Sequence, residues 1–170
     1  MRMEFVSSST LKDLGLSLDI RQIGIVVSDL KTAVANFERT ISSDSWSFLE
    51  FNHKNLSEIV SDDYSAHEDF YFHIAAAMYN NIQIELIEPN ETVPIYQDFY
   101  NKTGGGIHHF KARIPDEEME EVRTIFAQNG MRTLFGGKYH NVSFYYIDTV
   151  DKLGFLLELG NCEKLDSSRC

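Results

Sequence analysis

Cysteine is scarce: Cys162 and Cys170 sit near the C-terminus without CxxC spacing. That argues against a disulfide framework or a cysteine zinc site, and both read as reduced bystanders. Basic residues are also few. Fifteen lysines and arginines face 26 aspartates and glutamates, for a formal net charge of −11, and no basic cluster occurs. A phosphate backbone wants the opposite balance, so nucleic acid is not an expected partner. Long apolar runs are missing too. No stretch reaches the ~18 residues of a transmembrane helix, and no basic-then-apolar leader opens the chain, so neither a membrane span nor a signal peptide is indicated and a cytoplasmic location is expected. What remains is a chain of 170 residues, 43% hydrophobic, enough to bury the core of one domain or of two half-size units.

The most informative stretch is Gly104-Gly105-Gly106-Ile107-His108-His109-Phe110. Three glycines permit a tight turn, and the residues after them read as a strand. Adjacent strand residues face opposite ways, so the two histidines are expected on different faces. His108 shares its side with Phe110, Ala112 and Ile114, an apolar face for the helix that follows; His109 shares its side with Lys111 and Arg113. On this reading His109 is the histidine available for chemistry.

Residues 1–19 show no sustained period and read as an N-terminal extension. Ile20 to Val27 is β-branched and reads as a strand; Ser28-Asp29 suits a helix cap, and Leu30, Ala33, Val34, Phe37 and Ile41 recur at helical spacing. Ile23, Ile25 and Val27 face that helix, leaving Gln22 and Gly24 on the other side, where a buried Gln22 needs a partner. Residues 42–69 read as one strand around Trp46 to Phe51 and then a loop. Phe70–Tyr79 and Ile82–Ile87 read as a hairpin joined at Asn80-Asn81, with Gln83, Glu85 and Ile87 on one face. A linker with a short helix follows over 91–103. After the strand of His109 come a helix from Asp116 to Gln128, stopped at Asn129-Gly130, and strands over 132–135, 143–147 and 154–159.

The chain thus repeats itself. The interval from Gln22 to Asp29 recurs from His109 to Asp116, and each half ends in strands whose centre carries a carboxylate, Glu85 and then Glu158. The expected fold is α+β: two tandem βαβββ modules, about 20–90 and about 105–160, forming a cupped mixed sheet with helices outside. Paired about a pseudo-twofold axis, they would bring Gln22, Glu85, His109 and Glu158 to one place.

Four segments, Gln22 to Asp29, Ile84 to Pro89, Gly106 to Phe110 and Gly154 to Leu159, resemble those of the vicinal oxygen chelate superfamily, which includes glyoxalase I, methylmalonyl-CoA epimerase and extradiol dioxygenases. The Gly-Ile-His-His and Ile-Glu-Leu-Ile-Glu-Pro runs look closest to its epimerase-like branch. The resemblance implies one divalent metal ion, Zn, Ni, Co or Mn, held by Gln22, Glu85, His109 and Glu158. Many members carry His at the first position; Gln there is similar to animal-type glyoxalase I. It further implies an isomerase or lyase that removes a proton next to a chelated carbonyl or thioester, with Glu158 as base and His73 as a second acid/base. Lys111, Arg113 and Tyr146 are the candidate substrate contacts, and an acyl-CoA or 2-oxo compound the candidate substrate. Val26 and Glu88-Pro89 stand where glyoxalase I has its glutathione-binding Arg and Asn, and Gln22 does not suit a two-histidine iron site. The alternative within the same fold is a non-catalytic protein that sequesters a small molecule, with Tyr71, Tyr96, Tyr145, Tyr146 and Trp46 as stacking surfaces. A homodimer is implied by the resemblance alone.

Overall fold

The computed structural model describes residues 18–41, 45–61 and 69–162. Nearly all of the N-terminal extension, and Cys170, lie outside the described residues.

The first module begins with β1 (Asp19–Val26) and α1 (Leu30–Thr40). Asp29 caps α1 by accepting from the Thr32 N–H at 2.7 Å, and Glu88 accepts from the Leu30 N–H at 2.7 Å, so two carboxylates meet the positive end of the helix dipole. Leu30 and Val34 are buried against Ala75 and Leu86, each full burial of a side chain this size stabilising by roughly 1.5–3 kcal/mol. There follow β2 (Ser47–Asn52), β3 (Leu56–Ser61), β4 (Tyr71–Tyr79) and β5 (Ile82–Glu88). Asn80 adopts the left-handed backbone in the β4–β5 turn, as a tight hairpin requires.

A linking helix, α2 (Pro94–Thr103), ends at Gly104, and Gly104, Gly105 and Gly106 all have positive φ. At Gly105 a side chain would also strike the Val26 carbonyl oxygen, 2.8 Å from where its Cβ would lie. The second module is β6 (Gly106–Arg113), α3 (Asp116–Gln128), β7 (Thr133–Tyr139), β8 (Val142–Ile147), a short α4 (Val150–Leu153) and β9 (Leu156–Gly160). Met119, Val122, Ile125 and Phe126 form the buried face of α3, as their spacing predicts. Asp116 is the first residue of α3 and does not cap it. Its carboxylate instead accepts from Asn161 Nδ2 and Ser143 Oγ, so the repeat of Asp29 is one of position and not of role.

The nine strands form one sheet in the order β2-β4-β5-β1-β6-β9-β8-β7-β3. The two modules meet at its centre, where β1 and β6 run antiparallel; β1 pairs parallel with β5 and β6 parallel with β9, which is the pseudo-twofold relation expected from the repeat. This is the expected α+β cup with helices outside. One strand departs from the expectation. The loop predicted to follow β2 contains β3, which pairs with β7 of the other module. Strands β2 and β3 are consecutive in the chain, joined through 53–55, yet stand at opposite ends of the sheet order. Their link therefore draws the two ends of the sheet together and nearly closes the cup. Inside lies an aromatic core in which Phe51 of β2 packs on Tyr139 and Phe144 of the second module, with ring centroids 4.9 and 6.3 Å away.

Candidate metal centre

Strand register places the polar residues in two rows across the middle of the cup. One row runs Gln83, Gln22, Lys111, Glu158, Tyr146 over β5, β1, β6, β9 and β8; the other contains Glu85, Gly24 and His109. Gly24 explains how they interlock. A Cβ at Gly24 would fall 1.9 Å from His109 Cε1, so the imidazole occupies the space over the glycine, between the carboxylates of the flanking strands.

Gln22, Glu85, His109, Lys111 and Glu158 are all less than 5% exposed. His109 Nε2 lies 2.9 Å from Glu158 Oε2 and 3.4 Å from Glu85 Oε2, and Lys111 Nζ lies 3.4 Å from Glu158 Oε1. One ligand atom from each of Glu85, His109 and Glu158 lies within 4.8 Å of the others. Gln22 donates through Nε2 to Gln83 Oε1 at 2.8 Å, which supplies the partner expected for that amide and fixes which of its atoms is left over. That atom, Gln22 Oε1, is buried without a hydrogen-bond partner, while His109 Nε2 is held in ionic contact with the two carboxylates. Buried acceptors are rarely left unpaired. An orphaned amide oxygen and an imidazole nitrogen beside two carboxylates fit a divalent cation, and one imidazole with oxygen donors suits the borderline transition metals.

The histidines do not divide between the two faces. The register of β1 against β6 shifts so that Gly24 opposes His109 and Ile25 opposes Ile107, leaving His108 as the extra residue of a β-bulge. A bulge breaks the two-residue alternation. Both rings consequently lie in the cup: His108 packs on Tyr96, Phe99 and Tyr146, and its Nδ1 is 3.1 Å from His109 Nδ1. Phe110, Ala112 and Ile114 do face the other way, Ala112 and Ile114 against α3.

Burial, then the positive charge of His109, holds the His108 pKa down at about 3, so this ring is neutral. With the Nδ1–H of His109 donating a hydrogen bond to Nδ1 of the neutral His108, His109 Nε2 faces the carboxylates, the arrangement metal-binding histidines favour. For His109, burial alone would lower the pKa, but the proximity and charge of Glu158 and then of Glu85 raise it to about 9 in the metal-free protein. Burial acts to raise the pKa of Glu158; Lys111 and then His109 outweigh it and hold the carboxyl below its ordinary value. Tyr96 and Tyr146, whose hydroxyls are 2.9 Å apart, keep their protons because burial pushes both far up.

Of the residues singled out from sequence, Gln22, Glu85, His109, Glu158, Lys111 and Tyr146 come together, with the Tyr146 ring centroid 4.9 Å from that of His109. Arg113, at the end of β6, is exposed. His73 is not brought to the cluster. It lies on the face of β4 that turns toward α1, half-exposed, with Nε2 3.1 Å from Glu50 Oε2. Gln83 and His108 are the site residues that sequence reasoning passed over. Gln83 was legible as a polar residue two before Glu85 on the same face; the position of His108 depends on a bulge that alternation conceals.

A model of the glyoxalase/bleomycin resistance protein/dioxygenase superfamily matches residues 21–146, a span that contains three of the four candidate ligands. The chain belongs to this superfamily. No curated protein matches it in sequence. Among solved structures, a hypothetical protein from Bacillus halodurans is similar at 20% identity over 89% of this chain and 99% of its own, with a TM-score of 0.61. Methylmalonyl-CoA epimerase from Mycobacterium tuberculosis is similar at 20% identity over 83% of this chain and 85% of its own, TM-score 0.56. A methylmalonyl-CoA epimerase in complex with methylmalonyl-CoA and ammonium is similar at 19% identity over 85% and 94%, TM-score 0.59. At these identities the likeness establishes the superfamily's fold.

Proposed function

We propose that this superfamily member is a metal-dependent isomerase or lyase of the epimerase-like kind, acting by proton removal next to a carbonyl or thioester. The observation that carries this reading is the fully buried set of Glu85, His109 and Glu158 with the unpartnered Gln22 Oε1 beside it. A divalent ion held by these four residues would polarise a substrate oxygen and lower the cost of the charge that develops there when the neighbouring carbon loses its proton.

The protein's own groups supply the rest. Glu158 is the proposed base. It is held ionised by Lys111, whose Nζ lies 3.4 Å from its Oε1, so it can accept a proton and be restored by returning it. Tyr146 and Tyr96 form a protonated wall of the cavity, and Phe51, Phe72 and Phe144 line it and keep bulk water out. Water exclusion matters here because a carboxylate and a developing negative charge interact more strongly with fixed partners in a site of low dielectric. His73, paired with Glu50 on the outer face, has no part in this scheme.

The direct test is exchange of substrate protons with deuterated solvent. Acyl-CoA thioesters come first, because the structural neighbours include epimerases, followed by 2-oxo acids. The metal-loaded protein should exchange the proton next to the carbonyl of its substrate, and Glu158→Gln carrying one equivalent of the same ion should lower that rate by roughly 10²–10⁴-fold, the usual contribution of a positioned base. An unchanged rate in Glu158→Gln would remove Glu158 from this role. If no compound of either class exchanges while planar aromatic molecules bind tightly, the protein is a binder on the same fold.

A further inference from the structure

The internal repeat extends to the outer face of the sheet. Glu85 opposes Ala76, and Glu158 opposes Tyr146. Further along β5 stands Glu88, opposed by His73; at the matching place beyond β9 stands Asn161, whose Oδ1 accepts from the Ser143 N–H at 2.9 Å. One strand outward, His73 opposes Glu50 and Ser143 opposes Lys138. With the aspartates at the starts of the two helices, each module has a matching set: Asp29, Glu50, His73 and Glu88 in the first, Asp116, Lys138, Ser143 and Asn161 in the second.

The second set closes on itself. Asp116 accepts from Asn161 Nδ2 at 2.9 Å and from Ser143 Oγ at 3.2 Å, and Lys138, paired with Glu58 at 2.8 Å, has Asp116 as a further negative neighbour. The first set stays open and is acidic. It has three carboxylates to the other's one, and Glu50 stands at the place of the Lys138 cation. Asp29 and Glu88 each accept one backbone N–H of α1, which orients them and leaves them negative. Between this set and the first turn of α1 lies a groove of about 540 Å³, a size typical of small-molecule sites. Phe48, 56% exposed, and Leu49 give it an apolar wall, and Lys31 is the cation at its rim. The carboxylates are spread along the groove. Among the described residues, Glu85, His109 and Glu158 are the only such group with ligand atoms within 4.8 Å of one another, so the groove does not suit a bare metal ion.

We infer that this groove is a second binding site, for a small organic amine. The ligand's ammonium supplies the positive charge that Lys138 supplies in the other module, and its alkyl or arylalkyl body lies along Phe48. Acidic groups that are oriented but not neutralised, beside an exposed ring, complement such a molecule in both charge and polarity. Nothing in this site depends on the metal centre, which lies on the opposite face of the sheet.

Phenethylamine and 2-phenylethanol, alike in shape and different in charge, are the probes. Each is titrated into the full chain at neutral pH while its backbone amide NMR signals are followed. The amine should shift Leu30, Lys31, Glu50 and His73, and bind at least about fivefold more tightly than the alcohol, a margin that exposed ion pairs can supply. High salt should shrink that preference. Glu50→Lys, which gives the first module the cation of the second, should remove it, and Phe48→Ala should weaken both probes. Both residues are exposed, so the fold should survive these changes, which a thermal melt checks. Should Glu50→Lys fold poorly, Glu50→Gln reports on the charge and should lower the preference. Equal binding of the two probes, a preference kept in these Glu50 variants, or shifts confined to the inside of the cup would overturn the inference, and so would the absence of any shift with either probe.

Discussion

Gly24→Ala is expected to abolish metal binding about as completely as removal of His109 itself. Its new Cβ would sit 1.9, 2.2 and 2.3 Å from Cε1, Nε2 and Nδ1 of His109, all far inside van der Waals contact. The ring has nowhere to retreat: His109 is 0% exposed, with the rings of Tyr146 and His108 centred 4.9 and 5.4 Å away. Gly24 does not have positive φ, so alanine suits the strand backbone, and the conflict is confined to the imidazole. The chain should still fold, with a cost of about 1–3 kcal/mol for overpacking. The imidazole, however, can no longer lie between Glu85 and Glu158, and metal affinity should fall by more than about 100-fold, beyond the usual effect of disturbing a ligand's support. Calorimetric titration together with a thermal melt separates the two effects. Parental metal affinity in Gly24→Ala would mean that the ring position over Gly24 is not the one that binds.

Metal uptake by the metal-free protein should strengthen about tenfold for each pH unit up to about pH 9 and then level off. The His109 pKa is raised from 6.5 to about 9 by Glu158 and Glu85, against the effect of burial, so between these values the folded protein holds a proton that the unfolded chain has lost. An entering ion needs the neutral imidazole and must displace that proton, so affinity rises with pH while the proton is bound. At pH 7.5 about one proton should be released per ion, read as the dependence of binding heat on the ionisation heat of the buffer. The same shift has a consequence for the metal-free fold. Because the folded pKa lies above the unfolded one, the ion pairs of His109 contribute stability that is fully present below pH 6.5 and is lost as pH rises through about 9. A metal affinity independent of pH between 6.5 and 9 would show that His109 is not displaced, and so is not a ligand.

Much of this architecture was legible because it repeats. Gln22 and His109 each stand on the strand before a helix, and Glu85 and Glu158 each interrupt an apolar strand. A polar residue at the centre of such a strand faces either a partner or a ligand, so four of them in register pointed to one place. The glycine run was readable for an equally local reason, since three consecutive positive φ values, reaching 102° and 126° at Gly105 and Gly106, suit glycine and strain other residues. What sequence concealed depends on contacts between distant strands. The bulge at His108 arises from the register of β6 against β1 and leaves no mark in the period of β6 alone. Strand β3 was hidden because its hydrogen-bonding partner belongs to the other module, more than seventy residues on. His73 shows the converse. A histidine on the neighbouring strand looks like a second acid or base until strand parity is followed from Phe72 and Ile74, which face the aromatic core, to His73, which does not.

The measurement that bears most directly on the metal centre is elemental analysis of the protein purified without chelator, beside His109→Ala prepared in the same way. One equivalent of a divalent transition metal in the parent and none in His109→Ala is the expected result. A parent that is metal-free and takes up none of Zn, Ni, Co or Mn when they are supplied would contradict it.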